Sequence, residues 1–264
     1  MSAGPGLTAV VLAGSRREGD PLAAAAGVSH KALIPVGEVP MLQRVVSTLA
    51  AVPRIERILV VIERPDIVAA LPTQRKEVRA VPAAEGPSGS VAAVLAAEGT
   101  PLFVTTADHA LLRPEWVEEF LDAATRAGDA DAVLGLARRE SVMAAAPGTL
   151  RTWLKFSDDA YSGCNLFLLR TPAAAGIVQL WRQLEADRKR PLALLGRLGF
   201  TYVLRYRFGW LSLQSALARL GRLCGARLRP VILTDGEAAI DVDKPADLAL
   251  VREIISRRGQ SPRG

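Results

Sequence analysis

The chain of 264 residues is 50% hydrophobic and carries a formal net charge of +6 with a pI of about 9.8, so it can bury a large core and favours anionic ligands. Its length favours one domain with an inserted segment over two equal domains. The two cysteines lack metal or redox spacing, and no apolar run suits a membrane span or a secretion signal, so we exclude those classes and expect a cytoplasmic protein.

The first predicted element is a buried strand at residues 9–12, which ends in the loop Gly14-Ser15-Arg16-Arg17. Glycine lets a ligand approach the backbone closely, and exposed N–H groups beside basic side chains form an anion cradle. Lys31 adds further positive charge. The loop has neither P-loop spacing nor the Gly-x-Gly-x-x-Gly of a dinucleotide fold, so it predicts a phosphate site of another kind.

Strands and helices then alternate along the chain. Apolar residues at helical spacing between 41 and 49 predict an amphipathic helix, and the stretch 140–147 predicts a loop. Short apolar runs predict buried strands at 58–62, 78–81, 102–104 and 131–136. This alternation predicts an α/β fold of three layers, with helices on both faces of a mostly parallel sheet.

A small polar segment at 86–90 opens the helix that follows the strand at 78–81. Free N–H groups at a helix N-terminus favour an anion or the edge of a base, so this segment is a candidate for ligand contact. Alternatively, Ser88 or Ser90 only caps the helix. Capping and binding can also coexist at one helix end.

Asp108 comes just after the strand at 102–104, at the edge where open α/β sheets bind their ligands. Mg²⁺, and also Mn²⁺, takes carboxylate oxygen and shares its coordination shell with substrate phosphates, so Asp108 is a candidate metal ligand. Capping of the helix that begins near Pro114 is the alternative, but the intervening residues make that geometry poor. His109 and His30 are expected to be structural hydrogen-bonding residues.

The segment 188–229 departs from the pattern of the core, because it holds ten Arg or Lys and no Asp or Glu among its leucines and aromatic residues. One interpretation is an inserted helical lobe, spanning 182–229, whose basic face is solvated. The other is that its cations contact an acidic acceptor or an anionic membrane, which would place the protein peripherally at the inner face of that membrane. No nucleic-acid partner is expected.

The chain closes with a strand at 231–233 and an acidic stretch at 241–247, followed by a final helix to about residue 258. Asp243 and Asp247 could simply organise the start of that helix, which contains a proline in its first turn. We expect the domain to end there and residues 259–264 to form a disordered tail.

Several of these segments resemble the signature of the MobA-like nucleotidyltransferases, enzymes that couple an NTP to a phosphorylated acceptor and release pyrophosphate. The matching segments are Leu12-Ala13-Gly14-Ser15-Arg16, Lys31-Ala32-Leu33-Ile34-Pro35-Val36-Gly37, the Thr106-Ala107-Asp108 after the central strand, and the closing Asp243-Lys244-Pro245-Ala246-Asp247-Leu248. Ser15 replaces a second glycine and the loop is shortened, so either Arg16 or Arg17 takes the place of the family arginine.

The resemblance implies a GT-A-like, Rossmann-like nucleotidyltransferase domain over 1–258 that transfers NMP from CTP or GTP to a phosphorylated small molecule or lipid precursor. It also implies that Asp243 joins Asp108 in binding Mg²⁺. Asp241 stays open as the second ligand, since alternate residues of a strand face the same way. The implied sites are Lys31 and Arg16 for catalysis, Leu12, Ala13, Gly14, Ser15, Arg17, Gly86, Ser88 and Ser90 for the nucleotide, and Lys155 and Asn165 for the acceptor.

Two other functional classes stay open. A GT-A-type glycosyltransferase would share the fold and use a nucleotide sugar, but it generally has Asp-x-Asp after the central strand, where this chain has Asp108-His109-Ala110. A non-catalytic nucleotide-binding protein would bind an NTP without releasing pyrophosphate. No side chain in the base-facing segment separates CTP from GTP, and the oligomeric state is also left open.

Overall fold

The structure is a computed structural model that describes residues 6–15, 19–187 and 199–260. Its strands are β1 (Leu7–Leu12), β2 (Pro35–Val36), β3 (Val39–Pro40), β4 (Ile55–Val61), β5 (Glu77–Val81), β6 (Leu102–Thr106), β7 (Ala132–Arg138), β8 (Leu154–Lys155), β9 (Ala160–Leu169) and β10 (Leu228–Leu233). Its helices are α1 (Pro21–Ala25), α2 (Met41–Ala51), α3 (Pro65–Ala69), α4 (Gly86–Glu98), α5 (Pro114–Arg126), α6 (Arg139–Ala145), α7 (Ala174–Ala186), α8 (Phe200–Arg207), α9 (Leu213–Cys224) and α10 (Pro245–Gln260). Short 3₁₀ turns lie at Lys31–Leu33 and Gly236–Ala239.

The central sheet has the strand order β10-β7-β9-β6-β1-β4-β5, and β8 pairs with the start of β9. β1 runs parallel to β4 and β6, β4 runs parallel to β5, and β7 runs parallel to β10. Only β9 departs from this direction in the described sheet, because it is antiparallel to β6, to β7 and to the short β8. Helices cover both faces, so the predicted three-layer α/β fold with a mostly parallel sheet is confirmed.

The sheet buries apolar side chains on both faces, which explains why its strands are almost continuously apolar. In β1, Ala9 and Val11 belong to the core on the face covered by α2, α5 and α10, while Val10 belongs to the core on the face covered by α4 and α7. Phe103 of β6 packs edge-on against Phe120 of α5, with ring centroids 5.9 Å apart. The strands are therefore held between two apolar layers.

Local sequence predicts most of these elements but not α6. The helix expected at 41–49 is α2, and its apolar stripe is buried. The stretch 140–147, expected as a loop, instead contains most of α6, with Val142 fully buried. Gly236 approaches this helix so closely that a Cβ there would lie 2.1 Å from the Ser141 carbonyl oxygen. Tertiary packing therefore stabilises a helix too short to form by itself.

The parallel strands β1, β4, β6 and β7 all end along one edge of the sheet, which we call the carboxyl edge. β9 begins at this edge, because Tyr161 in β9 is paired with Arg138 at the end of β7. The connections that leave β1, β5 and β6 at the carboxyl edge carry Lys31, the segment 86–90 and Asp108. The start of α4 and the end of α7 also lie there, since each helix runs antiparallel to the strand before it.

The basic segment is only partly described, because residues 188–198 lie outside the described ranges. Residues 199–229 form α8, α9 and the start of β10. α9 buries Leu213 and Leu217, and β10 is the last strand on one side of the central sheet. α10 continues to Gln260, and residues 261–264 lie outside the described ranges. Within the described residues, every helix falls short of the length and apolar content that crossing a bilayer requires.

Candidate active site

Lys31, Asp108 and Asp243 meet at the carboxyl edge. The Nζ of Lys31 donates hydrogen bonds to Oδ2 of Asp108 at 2.6 Å and to Oδ1 of Asp243 at 3.0 Å. The two aspartates lie 77 and 212 positions from Lys31 in the chain. The structure therefore brings together three residues that the sequence pattern singled out separately, one to offset phosphate charge and two to bind a metal.

Backbone contacts hold the two aspartates side by side. The carbonyl oxygen of Asp108 accepts a hydrogen bond from the Val242 N–H at 3.1 Å. In the first turn of α10, Oδ2 of Asp247 accepts from the N–H groups of Asp243 and Lys244 at 3.1 and 2.9 Å. Asp247 therefore caps the helix and fixes the loop, which leaves the Asp243 side chain to face Lys31.

Lys31 is a largely buried ammonium with two acidic partners. Burial disfavours its charge, but the charges and hydrogen bonds of Asp108 and Asp243 outweigh burial, so the pKa of Lys31 is raised above its ordinary value of 10.5. The side chains of Lys31 and Asp108 are 20% and 19% exposed, and that of Asp243 is 59% exposed. The ammonium is therefore charged at neutral pH, and the cluster opens to solvent on its Asp243 side.

The two carboxylates have the chemistry that a hard divalent cation requires. Oδ1 of Asp108 is buried and has no hydrogen-bond partner among the described residues, which is costly unless a ligand completes it. The described part of the chain holds no group of three or more His, Cys, Asp or Glu suited to a metal cage. A cation at Asp108 and Asp243 would keep water or phosphate ligands, as Mg²⁺ commonly does.

A second network is centred on Arg151, whose Nη1 lies 3.8 Å from Oδ1 of Asp247, and it includes Asp241. Oδ1 of Asp241 accepts from Nη2 of Arg151, and its Oδ2 accepts from the side-chain amide of Asn165 at 2.6 Å. Asn165, predicted to contact the acceptor, has a left-handed backbone with φ of 51°. The structure thus places Asp241 with Arg151 and Asn165, and places Asp243 with Lys31. Arg151, which joins these residues, was not singled out from the sequence.

The predicted phosphate loop is described as far as Ser15, and Arg16 and Arg17 lie outside the described residues. The Ser15 N–H donates to both carboxylate oxygens of Glu63, at 3.0 and 3.1 Å. A Cβ at Gly14 would lie 3.0 Å from Oε1 of the same glutamate, so glycine permits the close approach. The Glu63 carboxylate therefore accepts the hydrogen bond of the N–H group that was predicted to bind phosphate.

Leu12 and Ala13 anchor this loop to the sheet. The carbonyl oxygen of Leu12 accepts from the Ala107 N–H at 2.9 Å, and the Ala13 N–H donates to the Val61 carbonyl oxygen at 2.9 Å. The loop after β1 is therefore tied to the ends of both β4 and β6. This brings the predicted phosphate loop and the segment before Asp108 to neighbouring positions on the carboxyl edge.

A second carboxylate lies at the N-terminus of α4. The hydroxyl and the N–H of Ser88 both donate to Oε2 of Glu185 in α7, the N–H at 3.4 Å. Gly86 has a φ of 70°, and a Cβ there would lie 2.7 Å from Oε1 of Glu185, so the position requires glycine. The Oγ of Ser90 accepts from the Ala84 N–H at 3.0 Å and thereby closes the turn before the helix.

Neither Glu63 nor Glu185 was predicted from the sequence. Glu63 carried a usable signal, because it directly follows the strand predicted at 58–62 and so stands at the carboxyl edge. His30 lies beside it, with Nε2 3.7 Å from its Oε2. Glu185 carried no such signal. It lies in the last turn of α7, 97 residues from Ser88, and the surrounding sequence is typical of a solvated helix end.

Lys155, the other predicted acceptor contact, lies in β8 with an exposed side chain. Its N–H donates to the hydroxyl of Tyr206 at 3.3 Å. Because β8 pairs with the first residues of β9, Lys155 also lies at the carboxyl edge. Its contact with an acceptor stays a prediction.

The model of the MobA-like NTP transferase domain matches residues 9–188, which is more than half of the chain. The chain belongs to the MobA-like NTP transferase family. The match includes Lys31 and Asp108, while Asp243 follows the matched residues. The resemblance predicted from the sequence motifs is therefore confirmed.

Solved structures also resemble this MobA-like chain. A hypothetical transferase from Thermus thermophilus is 31% identical, with coverage of 92% of this chain and 100% of that chain and a TM-score of 0.79. CMP:2-keto-3-deoxy-manno-octonic acid synthetase complexed with CTP is 16% identical, covers 96% of this chain and 98% of its own, and has a TM-score of 0.57. The 4-diphosphocytidyl-2C-methyl-D-erythritol synthase of Anaerococcus prevotii DSM 20548 is 12% identical, with coverage of 96% and 99% and a TM-score of 0.57. The last two show a shared Rossmann-like fold, and no curated protein matches the sequence.

In this MobA-like transferase, His109 is a buried residue of the core beside Asp108. Its ring stacks on Trp116 with centroids 6.2 Å apart, and only 1% of the residue is exposed. Burial lowers the pKa of His109 to about 4, although the negative charge of Asp108 opposes the shift. His109 is therefore neutral at neutral pH, which suits a packing residue and not a proton donor.

His109 is expected to make the fold sensitive to acid. Its pKa of about 4 in the folded protein lies below its ordinary value of 6.5, so the unfolded chain binds the proton first as the pH falls. Stability is therefore lost as the pH falls from 6.5 towards 4, by about 2 kcal/mol at pH 5. Urea unfolding at neutral and mildly acidic pH measures this loss. His109→Phe keeps an aromatic ring without a titrating group, so between neutral pH and pH 5 its free energy of unfolding should fall by about 2 kcal/mol less than that of the wild type. An equal fall in both proteins would exclude His109 as the source of the acid sensitivity.

Arg151 is expected to be important for stability. Arg151→Met leaves the carboxylate of Asp241, which is 14% exposed, without its cation, and should lower the free energy of unfolding by about 3–5 kcal/mol. Urea unfolding of Arg151→Met, Asp241→Asn and the double variant checks the coupling. The double variant should be more stable than the sum of the two losses predicts, because the Arg151–Asp241 pair is then removed as a whole, while Asp247, which lies 3.8 Å from Nη1 of Arg151, keeps its two backbone hydrogen bonds. Strict additivity would show that the pair is not coupled.

Proposed function

We propose that this chain transfers NMP from CTP or GTP to a phosphorylated small molecule or lipid precursor and releases pyrophosphate. The observation that carries the proposal is the Lys31 ammonium held between Asp108 and Asp243 at the carboxyl edge. In open α/β folds, ligands bind outside the carboxyl ends of the strands. CTP is the first nucleotide to test, because the similar CMP:2-keto-3-deoxy-manno-octonic acid synthetase structure is a complex with CTP.

In the proposed reaction, a phosphate oxygen of the acceptor attacks the α-phosphorus of the NTP. A new P–O bond forms, the bond between the α-phosphorus and the bridging oxygen breaks, and pyrophosphate leaves with that oxygen. Because the attacking group is already an anion, no general base is needed, in agreement with a neutral, buried His109. Catalysis then depends on positioning and on charge stabilisation.

Lys31 has the main electrostatic role in this proposal. Its ammonium stays protonated and is fixed by two hydrogen bonds, so it needs little reorganisation to stabilise negative charge on the leaving group. Arg16 is proposed to add a second cation from the phosphate loop. Asp108 and Asp243 are proposed to hold Mg²⁺, with Mn²⁺ as a substitute, and the cation when bound supplies Lewis-acid charge to phosphate oxygens.

The nucleotide is proposed to lie along the loop after β1 and the start of α4. The residues proposed near the phosphates are Leu12, Ala13, Gly14, Ser15 and Arg17, and those near the base and ribose are Gly86, Ser88 and Ser90. Glu63 and Glu185 now accept hydrogen bonds from Ser15 and Ser88. Because a carboxylate and a phosphate repel each other, we propose that Glu63 moves off Ser15 when an NTP binds. Lys155 and Asn165 remain proposed contacts of the acceptor.

An assay of pyrophosphate release tests the proposal. The purified protein is incubated with Mg²⁺, each of the four NTPs, and a panel of sugar phosphates, polyol phosphates and phosphorylated lipid precursors, with Lys31→Ala as the matched control. We expect release with CTP or GTP and one acceptor class, and a product that contains NMP by mass spectrometry. Nucleotide binding without release across the whole panel would favour a binding protein, and sugar transfer from a nucleotide sugar would favour a glycosyltransferase. Either result would overturn the proposal.

A further inference from the structure

An exposed group of large apolar side chains lies on α8 and the turn after it. Phe200 and Trp210 are each 67% exposed, and Phe208 stacks on Trp210 with ring centroids 5.2 Å apart. We call the group Phe200, Leu204, Tyr206, Phe208 and Trp210 the aromatic surface. α8 itself buries none of its side chains. Contiguous exposed apolar side chains of this kind mark a surface that contacts a partner.

Arginines lie on α8, together with most of the aromatic surface, and on α9, where two of them contact Tyr202 of α8. Arg205 and Arg207 on α8 are exposed, and the guanidinium of Arg219 on α9 lies 5.2 Å from the ring centroid of Tyr202. Arg222 donates to the hydroxyl of Tyr202 at 2.8 Å. The described residues 199–229 contain no Asp or Glu. A helix with Phe, Trp and Leu beside arginine, without acidic residues, has the chemistry of a segment that lies in the interface of an anionic bilayer.

The position of this surface relates it to the candidate active site. Tyr206 packs against Phe156, with ring centroids 5.5 Å apart, and the Ser157 N–H donates to the Leu211 carbonyl oxygen at 2.9 Å. These contacts tie α8 to the turn between β8 and β9. That turn lies at the carboxyl edge, where Lys31 also lies. A membrane contact made through the aromatic surface would therefore keep the carboxyl edge near the bilayer.

We propose that the aromatic surface docks on an anionic lipid bilayer, with the rings inserted at the headgroup level and the arginines beside anionic headgroups. A second copy of this chain is disfavoured as the occupant, because a symmetric contact would bring two arginine-rich faces together. The docking itself is independent of catalysis. One consequence rests on the proposed function: the phosphorylated acceptor is a lipid or lipid precursor presented at the membrane surface.

Vesicle flotation of the full chain without nucleotide tests the docking. We expect flotation with vesicles of phosphatidylcholine and phosphatidylglycerol, little with phosphatidylcholine alone, and release by added salt. Arg205→Gln/Arg207→Gln should weaken binding about 25-fold, on the basis of about 5-fold for each arginine at an anionic surface. The matched control Arg75→Gln/Arg126→Gln removes the same charge from other exposed positions and should float like the wild type.

Fluorescence provides a second measurement. Emission of the wild type should shift to shorter wavelength on anionic vesicles, and Trp210→Phe should bind these vesicles but lose most of that shift. The proposal would be overturned if the protein showed no preference for anionic vesicles, if both arginine pair variants floated equally, or if Trp210→Phe left the emission shift unchanged. It would also be overturned if the aromatic surface mediated self-association or nucleic-acid binding and the protein did not bind vesicles. Vesicle binding in a protein that releases no pyrophosphate would contradict the proposed function and leave the docking intact.

Discussion

Lys31→Ala is expected to lower the rate of pyrophosphate release by about 100- to 1,000-fold, the effect of removing one preorganised charge stabiliser. The ammonium of Lys31 is held by hydrogen bonds to Asp108 and Asp243, and its raised pKa keeps it charged. Without it, the leaving pyrophosphate loses a fixed positive charge and the two carboxylates face each other unscreened. Steady-state rates at saturating NTP, with Mg²⁺ in excess, measure the loss.

Lys244→Ala is the matched control for this prediction. Lys244 is an exposed lysine next to Asp243, and its backbone N–H, which the substitution keeps, bonds to Asp247. Its loss should change the rate less than about 2-fold, as expected for a solvated surface charge. An active Lys31→Ala enzyme, or equal losses in the two variants, would remove Lys31 from its proposed role.

The raised pKa of Lys31 also predicts a pH dependence. A lysine whose pKa is raised above 10.5 in the folded protein contributes stability below that pH, and the contribution is lost as the pH rises through the higher folded value. Between neutral pH and 10.5 the ammonium therefore stays charged. Any loss of wild-type activity between neutral pH and 10.5 should therefore come from a group other than Lys31. The pH–rate profile measures the loss of activity, and urea unfolding at the same pH values shows whether it is caused by unfolding.

The fold could be predicted because its strands are short apolar runs separated by amphipathic helices. The spacing between 41 and 49 places α2, and the runs at 58–62 and 102–104 place β4 and β6. The direction of β9 could not be predicted. Its antiparallel pairing depends on the long excursion from β7 through α6 and β8, whose packing against Gly236 is a contact between distant segments.

The candidate site was predictable where a functional residue follows a strand. Asp108 comes just after β6, and the parallel strands bring the loop after β1 to the same edge, so the sequence places both segments on one side of the sheet. Arg151 and Glu185 were not predictable, because their partners lie 90 and 97 positions away and their own surroundings read as loop and solvated helix. The residues proposed to bind ligands left a local pattern in the sequence, whereas Arg151 and Glu185 did not.

Asp108→Asn is expected to reduce the Mg²⁺-dependent rate by about 1,000-fold, the equivalent of several kcal/mol of charge stabilisation by a bound cation. Its buried Oδ1 has no hydrogen-bond partner among the described residues, so it is the oxygen best placed to meet a cation. The Mg²⁺ concentration for half-maximal activity should rise in this variant. Mn²⁺ binding in the presence of NTP, followed by electron paramagnetic resonance, gives a readout independent of turnover.

The same titration identifies the second ligand, because Asp243 and Asp241 have different surroundings. Asp243 shares Lys31 with Asp108, so Asp243→Asn should also raise the Mg²⁺ requirement. Asp241 is committed to Arg151 and Asn165, so Asp241→Asn should destabilise the fold and leave the Mg²⁺ requirement unchanged. A raised requirement in Asp241→Asn but not in Asp243→Asn would assign the ligand to Asp241. Unchanged Mn²⁺ affinity in both Asp108→Asn and Asp243→Asn would mean that the cation is held without these carboxylates, which would contradict the proposed metal site.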